Sequence, residues 1–252
     1  MTRRRFYAPP GSFEASHNAV TLSTDEARHL RDVLRLSPEE HAFVFDGQGH
    51  EYECVISEVR RDFARLSIVS EVSPTRPESP LNLTLAVALL KGEKFDLVVQ
   101  KSTELGVVAI VPVITKLADV RLRDPSETQK RVTRWQRIAL EAAKQSGRAL
   151  VPQVAAPSNF ANLLETRQSN HETCLMFSER LGKSLWDAIG EDAETKSVTA
   201  LVGSEGGWSD EEISLASKWD WKVVTLGGRI LRAETAAITI CALLEHRFGD
   251  LN

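Results

Sequence analysis

No stretch of this 252-residue chain approaches the roughly 20 consecutive apolar residues needed to span a bilayer, so a helical membrane protein is excluded. The N-terminus, Met1-Thr-Arg-Arg-Arg-Phe-Tyr7, lacks the apolar stretch of a secretory signal, and the expected location is the cytoplasm. Three cysteines, Cys54, Cys174 and Cys241, lie far apart and form no C-x-x-C. They are expected as reduced thiols, not as a disulfide framework. Six histidines show neither H-E-x-x-H nor any other metal spacing, so no metal is expected. There is no G-x-x-x-x-G-K-[ST], and Gly203, Gly206 and Gly207 are spaced wrongly for G-x-G-x-x-G, which argues against ATP and NAD. Lysine is absent before Lys91.

That last absence leaves arginine as the basic residue of the N-terminal part. Residues 1–73 carry nine arginines and twelve acids, a local balance of −3 within a chain of net charge −4. Any RNA-binding face must therefore be a local patch and not a global field. Arginine's planar fork suits phosphates and base edges better than lysine's point charge. The region reads as mostly β, with short strands at Arg5–Ala8, Ala19–Leu22, His41–Phe45, Tyr52–Ile56 and Ala64–Val69. One helix interrupts them, Ser23 to Arg35, capped by Ser23 or Thr24 with Asp25 and Glu26 in its first turn. Leu30, Val33 and Leu34 form its apolar stripe. Arg28, Arg31 and Arg35, at i, i+3 and i+7, share a face. A small β-barrel displaying this helix is a plausible RNA-binding module, although a solvated helix face explains the helix better when it is taken alone.

Pro74, Pro77 and Pro80 bar both helix and central strand and mark a linker over 74–80. It separates a domain of residues 1–73 from one of 81–252. In the second, strands at Asn82–Leu90, Val107–Ile114, Thr173–Phe177, Ser197–Val202 and Lys222–Leu226 alternate with helices. The helices are expected at Phe95–Leu105, Lys130–Gly147, Asn159–Arg167, Lys183–Ile189, Ser209–Lys218 and Glu234–Phe248. This alternation predicts an α/β fold with a mostly parallel sheet covered on both faces. Pro112 pushes its strand toward an edge or bend. The last helix is apolar around much of its circumference (Ala236, Ala237, Ile240, Cys241, Leu243, Leu244, Phe248), which suggests burial on two sides and a homodimer, the alternative being burial within a single chain. Arg148, just past the long helix, is a candidate to face a site.

Two glycine-rich turns carry the chemistry. Leu201-Val-Gly-Ser-Glu-Gly-Gly-Trp208 and Leu226-Gly-Gly-Arg-Ile-Leu-Arg-Ala-Glu-Thr-Ala236 each follow a buried strand and lead into a helix. They are expected side by side at the carboxyl edge of one sheet, where open α/β sheets bind ligands. Ser209-Asp-Glu-Glu gives the first helix an acidic N-terminus, which offsets the dipole and disfavours phosphate. Glu205 likewise favours a ribose hydroxyl, an amine or a positive centre. In the second turn, Arg229 and Arg232 flank Ile230 and Leu231, which could wall a purine ring. Arg232 stands at a helix N-terminus, where a cation is mildly unfavourable, so function explains it better than structure does. Glu234 has a bland alternative in complementing the helix dipole.

These segments, with His29–Arg35, Lys101–Gly106 and Arg134–Ser146, give the chain a resemblance to the bacterial 16S rRNA uridine-N3 methyltransferases of the trefoil-knotted SPOUT superfamily. One departure is Ser204, where that family usually has proline. The resemblance implies a PUA-like N-terminal domain, a knotted C-terminal α/β domain, a homodimer and S-adenosylmethionine as cofactor. Carried over by position, Leu201, Gly203 and Gly206 would contact the cofactor from the first loop. Leu226, Gly227, Ile230 and Leu231 would do so from the second, with Met176 at the end of a preceding strand. The implied reaction is methylation of uridine N3 in small-subunit ribosomal RNA, free or assembled. Arg232 would stabilise the uracil anion and Glu234, or a water it positions, would accept the proton. Arg3, Arg4, Arg5, Arg28, Arg31 and Arg35 would grip RNA phosphates. The rival readings are a non-catalytic dimeric RNA-binding scaffold and an α/β enzyme acting on a small metabolite.

Overall fold

The structure is a computed structural model that describes residues 3–16, 18–122, 124–167, 172–190 and 195–251. The chain forms two compact units, Met1–Glu78 with Leu140–Val151, and Ser79–Ala139 with Pro152–Asn252. The N-terminal unit is thus larger than residues 1–73, and discontinuous. The proline-rich segment is no free tether. Thr75 donates through N and Oγ1 to Glu51. Glu78 accepts from Arg148 Nε at 2.8 Å and from the backbone N–H groups of Ala149 and Leu150. Arg148 is buried in this contact, which removes it from the site candidates.

In the first unit, strands β1 (Arg5–Tyr7), β2 (Ala19–Leu22), β3 (His41–Phe45), β4 (Glu51–Val59) and β5 (Ala64–Val72) form one sheet in the order β1-β3-β4-β5-β2. β1 pairs with β3 in parallel and the other pairs are antiparallel. Phe6, Val20, Leu22, Leu30, Val44, Ile56 and Leu66 form the core. Between β2 and β3, helix α1 (Thr24–Arg28) is capped by Ser23, whose Oγ accepts from Glu26 N. It is shorter than predicted. At His29 it passes into a π-helical turn through Val33, and Arg35 adopts a left-handed backbone (φ 54°). The wider turn rotates the register of the side chains that follow. Leu30 is buried, but Val33 is 64% exposed and Leu34 also faces outward. Neither the predicted apolar stripe nor the three-arginine helical face is realised, because both assumed a continuous α-helix.

The second unit contains β6 (Asn82–Ala88), α2 (Lys94–Glu104), β7 (Ala109–Ile114), most of α3 (Pro125–Ser146), β8 (Gln153–Val154), β9 (Ser158–Asn159), α4 (Phe160–Thr166), β10 (Thr173–Phe177), β11 (Lys183–Ser184), α5 (Leu185–Ile189), β12 (Ser197–Val202), α6 (Asp210–Lys218), β13 (Lys222–Thr225) and α7 (Ala233–Phe248). Every strand pairing in its sheet is parallel, in the order β11-β13-β10-β12-β6-β7-β8, with β9 also on β7. The central strands β6 and β12 are apolar and buried almost throughout, as a sheet covered on both faces requires. Pro112 pairs with Val87 on one side. On the other it falls in the gap between β8, opposite Ala109 and Ile110, and β9, opposite Val113 and Ile114. The missing amide hydrogen is tolerated because no outer strand asks for it there. Burial pushes the Cys54 and Cys174 thiols up to about 12, so both stay protonated and unreactive at neutral pH.

Candidate active site

Strands β13, β10 and β12 are consecutive in the sheet, so their carboxyl ends open onto one edge. The two glycine turns follow β12 and β13. They are not immediate neighbours, because β10 lies between them and adds a third loop. The three loops and the start of α7 enclose a cavity of about 560 Å³, within the usual range for small-molecule sites. Its walls include Gly203, Glu205, Gly206, Leu226, Gly227, Ile230, Leu231 and Arg232, all predicted. The β10 loop contributes Phe177, Ser178 and Glu179, and α7 contributes Ala236 and Ile240, none of which sequence reasoning placed in the site. Strand order, the signal that would have placed β10, is not readable from local pattern.

The first loop is fixed by packing and hydrogen bonds. Trp208 is buried against Phe160 (ring centroids 5.5 Å apart), and its Nε1 donates to the Phe177 carbonyl at 2.7 Å, tying the end of β10 to the loop after β12. Ser209 and Glu212 form a capping box at α6, and Glu212 Oε1 accepts from Lys116 N at 2.8 Å. Glu211 pairs with Lys116, and Asp210 with Arg180. The acidic turn is therefore committed to protein partners. Gly206 passes so close to the loop after β7 that a Cβ there would stand 2.7 Å from the Leu117 carbonyl oxygen. In the second loop, Gly227 (φ 68°) and Gly228 (φ 71°) both take left-handed backbone, which glycine adopts without cost.

The charges differ from the sequence reading in one respect. Glu205 does not present a free carboxylate to a ligand. It accepts from Lys94 Nζ at 2.7 Å and from the Lys91 backbone N–H. Partial burial pushes its carboxyl up, but these donors outweigh it and hold the group below the usual carboxylate range. Ser204 lines the cavity with a buried Oγ that has no hydrogen-bond partner. A buried hydroxyl left without a partner is costly, and a polar ligand atom in the cavity would satisfy it. Arg232 is the N-cap of α7 without a side-chain capping bond, and it is exposed. Glu234 stands in the first turn beyond it. Ile230 is 85% exposed at the rim. Met176 and Leu201 are paired across β10 and β12 and buried in the core with Ala86 and Trp208. Their side chains pack beneath the site and do not line the cavity, because inward-facing positions near the strand ends belong to the sheet's own core.

The N-terminal arginines divide. Arg5 is 9% exposed, bonded to Glu51 and to the Arg148 carbonyl, and stacked 4.7 Å over Phe45. It holds its own domain together and is not available to RNA. Arg3 also bonds Glu51, and Arg4 pairs with Glu40. Arg31 binds Asp32 and the carbonyls of Arg60 and Arg61 at the β4–β5 turn. Arg28 and Arg35 are exposed. The turn itself adds exposed Arg60, Arg61 and Phe63, which the sequence reading did not include.

Comparison with known proteins agrees with this geometry. Residues 77–245 match the RNA methyltransferase domain, and residues 22–69 match the RNA methyltransferase PUA domain. A ribosomal RNA small subunit methyltransferase E of Synechocystis sp. is 38% identical over 97% of this chain and 79% of its own length. The chain belongs to that methyltransferase family. A namesake from Bacillus subtilis is 30% identical, covering 90% of each protein. The crystal structure of the Neisseria gonorrhoeae enzyme of this name, bound to S-adenosyl methionine, superposes with a TM-score of 0.86 at 34% identity over the whole of both chains. Among the described residues no helix is long and apolar enough to cross a membrane.

Proposed function

We propose that this protein transfers a methyl group from S-adenosylmethionine to N3 of a uridine in small-subunit ribosomal RNA. The observation that carries this reading is the cavity itself. It is walled by glycine backbone, contains the unpartnered Ser204 hydroxyl and is edged by the exposed Arg232. Among the described residues its walls hold no lysine, which suits a cofactor whose reactive centre is a cation. Gly203, Ser204, Gly206, Leu226, Gly227, Ile230 and Leu231 would hold the cofactor, which supplies an electrophilic methyl on positively charged sulfur. Uridine N3 carries a proton whose pKa lies above neutrality, so the protein must promote its loss. Glu234, or a water it positions, accepts that proton. Arg232 places positive charge against the uracil carbonyl oxygens as the ring becomes anionic. The N3 lone pair would then take the methyl as the methyl–sulfur bond breaks, its electrons staying on sulfur and leaving a neutral thioether.

The loops on either side of β10 would be the threaded segments of a trefoil knot. Helix α7, which packs on α2, keeps half-buried Ile238, Ala242 and Leu243. With exposed Leu97 of α2, they favour a homodimer. Arg4, Arg28, Arg31 and Arg35, joined by Arg60 and Arg61, would contact RNA phosphates in the cytoplasm, on free rRNA or on the assembled subunit. Primer extension on small-subunit rRNA tests the reaction. A methyl at N3 blocks the Watson–Crick edge, so a reverse-transcriptase stop should vanish on deletion of the gene and return on complementation. An unchanged stop pattern would reject the assignment.

Gly206→Ala tests the cofactor loop. The new Cβ must displace backbone at Leu117, and strain of this kind costs roughly 1–3 kcal/mol. S-adenosylmethionine affinity should fall about ten- to a hundredfold by calorimetry. Unaltered affinity would mean that the cofactor does not use this loop.

A further inference from the structure

Three charged side chains from three elements meet beside the loop after β12, and of these Glu205 lines the cavity. Lys94 opens α2 and donates from Nζ to Glu205 Oε1 at 2.7 Å. The same Nζ stands 3.8 Å from Glu234 Oε2. Glu205 belongs to the loop after β12 that walls the cavity, and Glu234 lies two residues beyond Arg232 in the first turn of α7. The Glu234 side chain is 12% exposed, and its Oε2 is buried without a hydrogen-bond partner. A buried carboxylate oxygen is costly unless a cation or donor compensates it, and Lys94 is the cation within ion-pair distance. An ammonium group has three donors, of which Glu205 takes one. At 3.8 Å the contact with Glu234 is a charge pair and not a hydrogen bond. A displacement of about 1 Å would bring it to hydrogen-bonding length. Lys94 thus links the loop that would hold the cofactor to the carboxylate beside Arg232.

We propose that Lys94 is a positioning residue for methyl transfer. It ties the cofactor loop through Glu205 to the head of α7, and it holds Glu234 oriented to receive the proton from uridine N3. This role rests on the methyl-transfer reading above. The proton passes from N3 to the Glu234 carboxylate, or to water held by it, and Lys94 itself neither gains nor loses one. Filling the cavity would settle the Glu205 loop and with it Lys94, so that Glu234 is set once the methyl donor is in place. The β6–α2 connection, remote from both glycine turns in sequence, becomes the third side of the reaction centre.

The test uses the full-length protein with small ribosomal subunits as substrate, and calorimetry with S-adenosylmethionine. Lys94→Met should lower kcat about ten- to a hundredfold, the usual scale for a misplaced reacting group. KM for the subunit and affinity for the cofactor should stay within about threefold. Lys94→Arg, which keeps the charge, should recover most of the rate. In Lys94→Met/Glu205→Gln, kcat should stay low, because Glu234 still lacks its cation. Recovery in that double variant would show that Lys94 merely neutralises Glu205 and would overturn the proposal. So would turnover within twofold of wild type in Lys94→Met, or a loss of cofactor affinity that matches the loss of rate. Wild-type protein that binds the cofactor yet methylates no rRNA would overturn the methyl-transfer reading and this role with it. An active wild type with an unaffected Lys94→Met would overturn the role alone.

Discussion

Replacing Arg232 by alanine should cut methyl transfer at least a hundredfold while changing affinity for S-adenosylmethionine only a few-fold. Local structure gives no reason for an arginine here. The residue is the N-cap of α7, where serine, threonine, aspartate or asparagine would bond the exposed N–H groups, and its side chain makes no such bond. A cation at this end of the helix opposes the dipole by about 0.3–1 kcal/mol. Among the described residues its guanidinium has no hydrogen-bond or ion-pair partner, and the residue is exposed on the cavity wall. A free guanidinium at that point is available to charge that forms during the reaction, on the carbonyl oxygens of a deprotonating uracil. Removing one preorganised donor to such an oxyanion typically costs 10²–10³ in kcat, about 2.7–4 kcal/mol. The backbone contacts expected to hold the cofactor, from Gly203, Gly206 and Gly227, do not pass through this side chain. Single-turnover rates and calorimetry on the same preparation separate the two effects. A collapse of cofactor binding in step with the rate would move Arg232 from the reaction to the binding site.

What the sequence disclosed follows from the range of the forces involved. Glycine turns after β-branched runs are local signals, and both proved to wall the cavity. Alternating strand and helix patterns gave the parallel sheet, because burial on both faces is written residue by residue in β6 and β12. The insertion of β10 between β12 and β13 is a property of strand order, set by packing across the whole sheet, and no window of sequence contains it. The Lys94–Glu205–Glu234 cluster is hidden for the same reason, since its members are more than 100 residues apart in part. The π-helical turn after Arg28 defeated periodicity from within, because a single wide turn rotates Val33 out of a stripe that an α-helix would bury. The discontinuous N-terminal unit escaped because proline content locates a break in regular structure but not the partners of that segment.

Arg5 marks the other limit of reading charge from sequence, and it leads to the largest stability effect expected here. Glu51 is fully buried, with Arg3 Nη1 at 2.9 Å, Arg5 Nη2 at 2.9 Å and Thr75 Oγ1 at 3.0 Å around it. Burial pushes its carboxyl up, yet the hydrogen bonds from Arg3, Arg5 and Thr75 outweigh this and leave it below the usual range. Glu51→Gln would remove the charge while Arg5, itself 9% exposed, stays in place. An amide NH₂ would then confront guanidinium donors. Breaking a buried pair from one side costs about 3–5 kcal/mol, a large fraction of a small domain's stability. The pH dependence has a definite sign. A carboxyl depressed in the folded state stabilises fully above its unfolded value of about 4.5 and loses that contribution as pH falls through its lower folded value. The gap between wild type and Glu51→Gln should therefore be widest near neutrality and narrow on acidification below about pH 4.5. Amide exchange across β1, β3 and β4 at pH 7 and in denaturant series down to pH 3 would measure it locally. A gap of under 1 kcal/mol at pH 7, or one that grows in acid, would show that Arg5 is held by the Arg148 carbonyl and the Phe45 ring without needing the carboxylate.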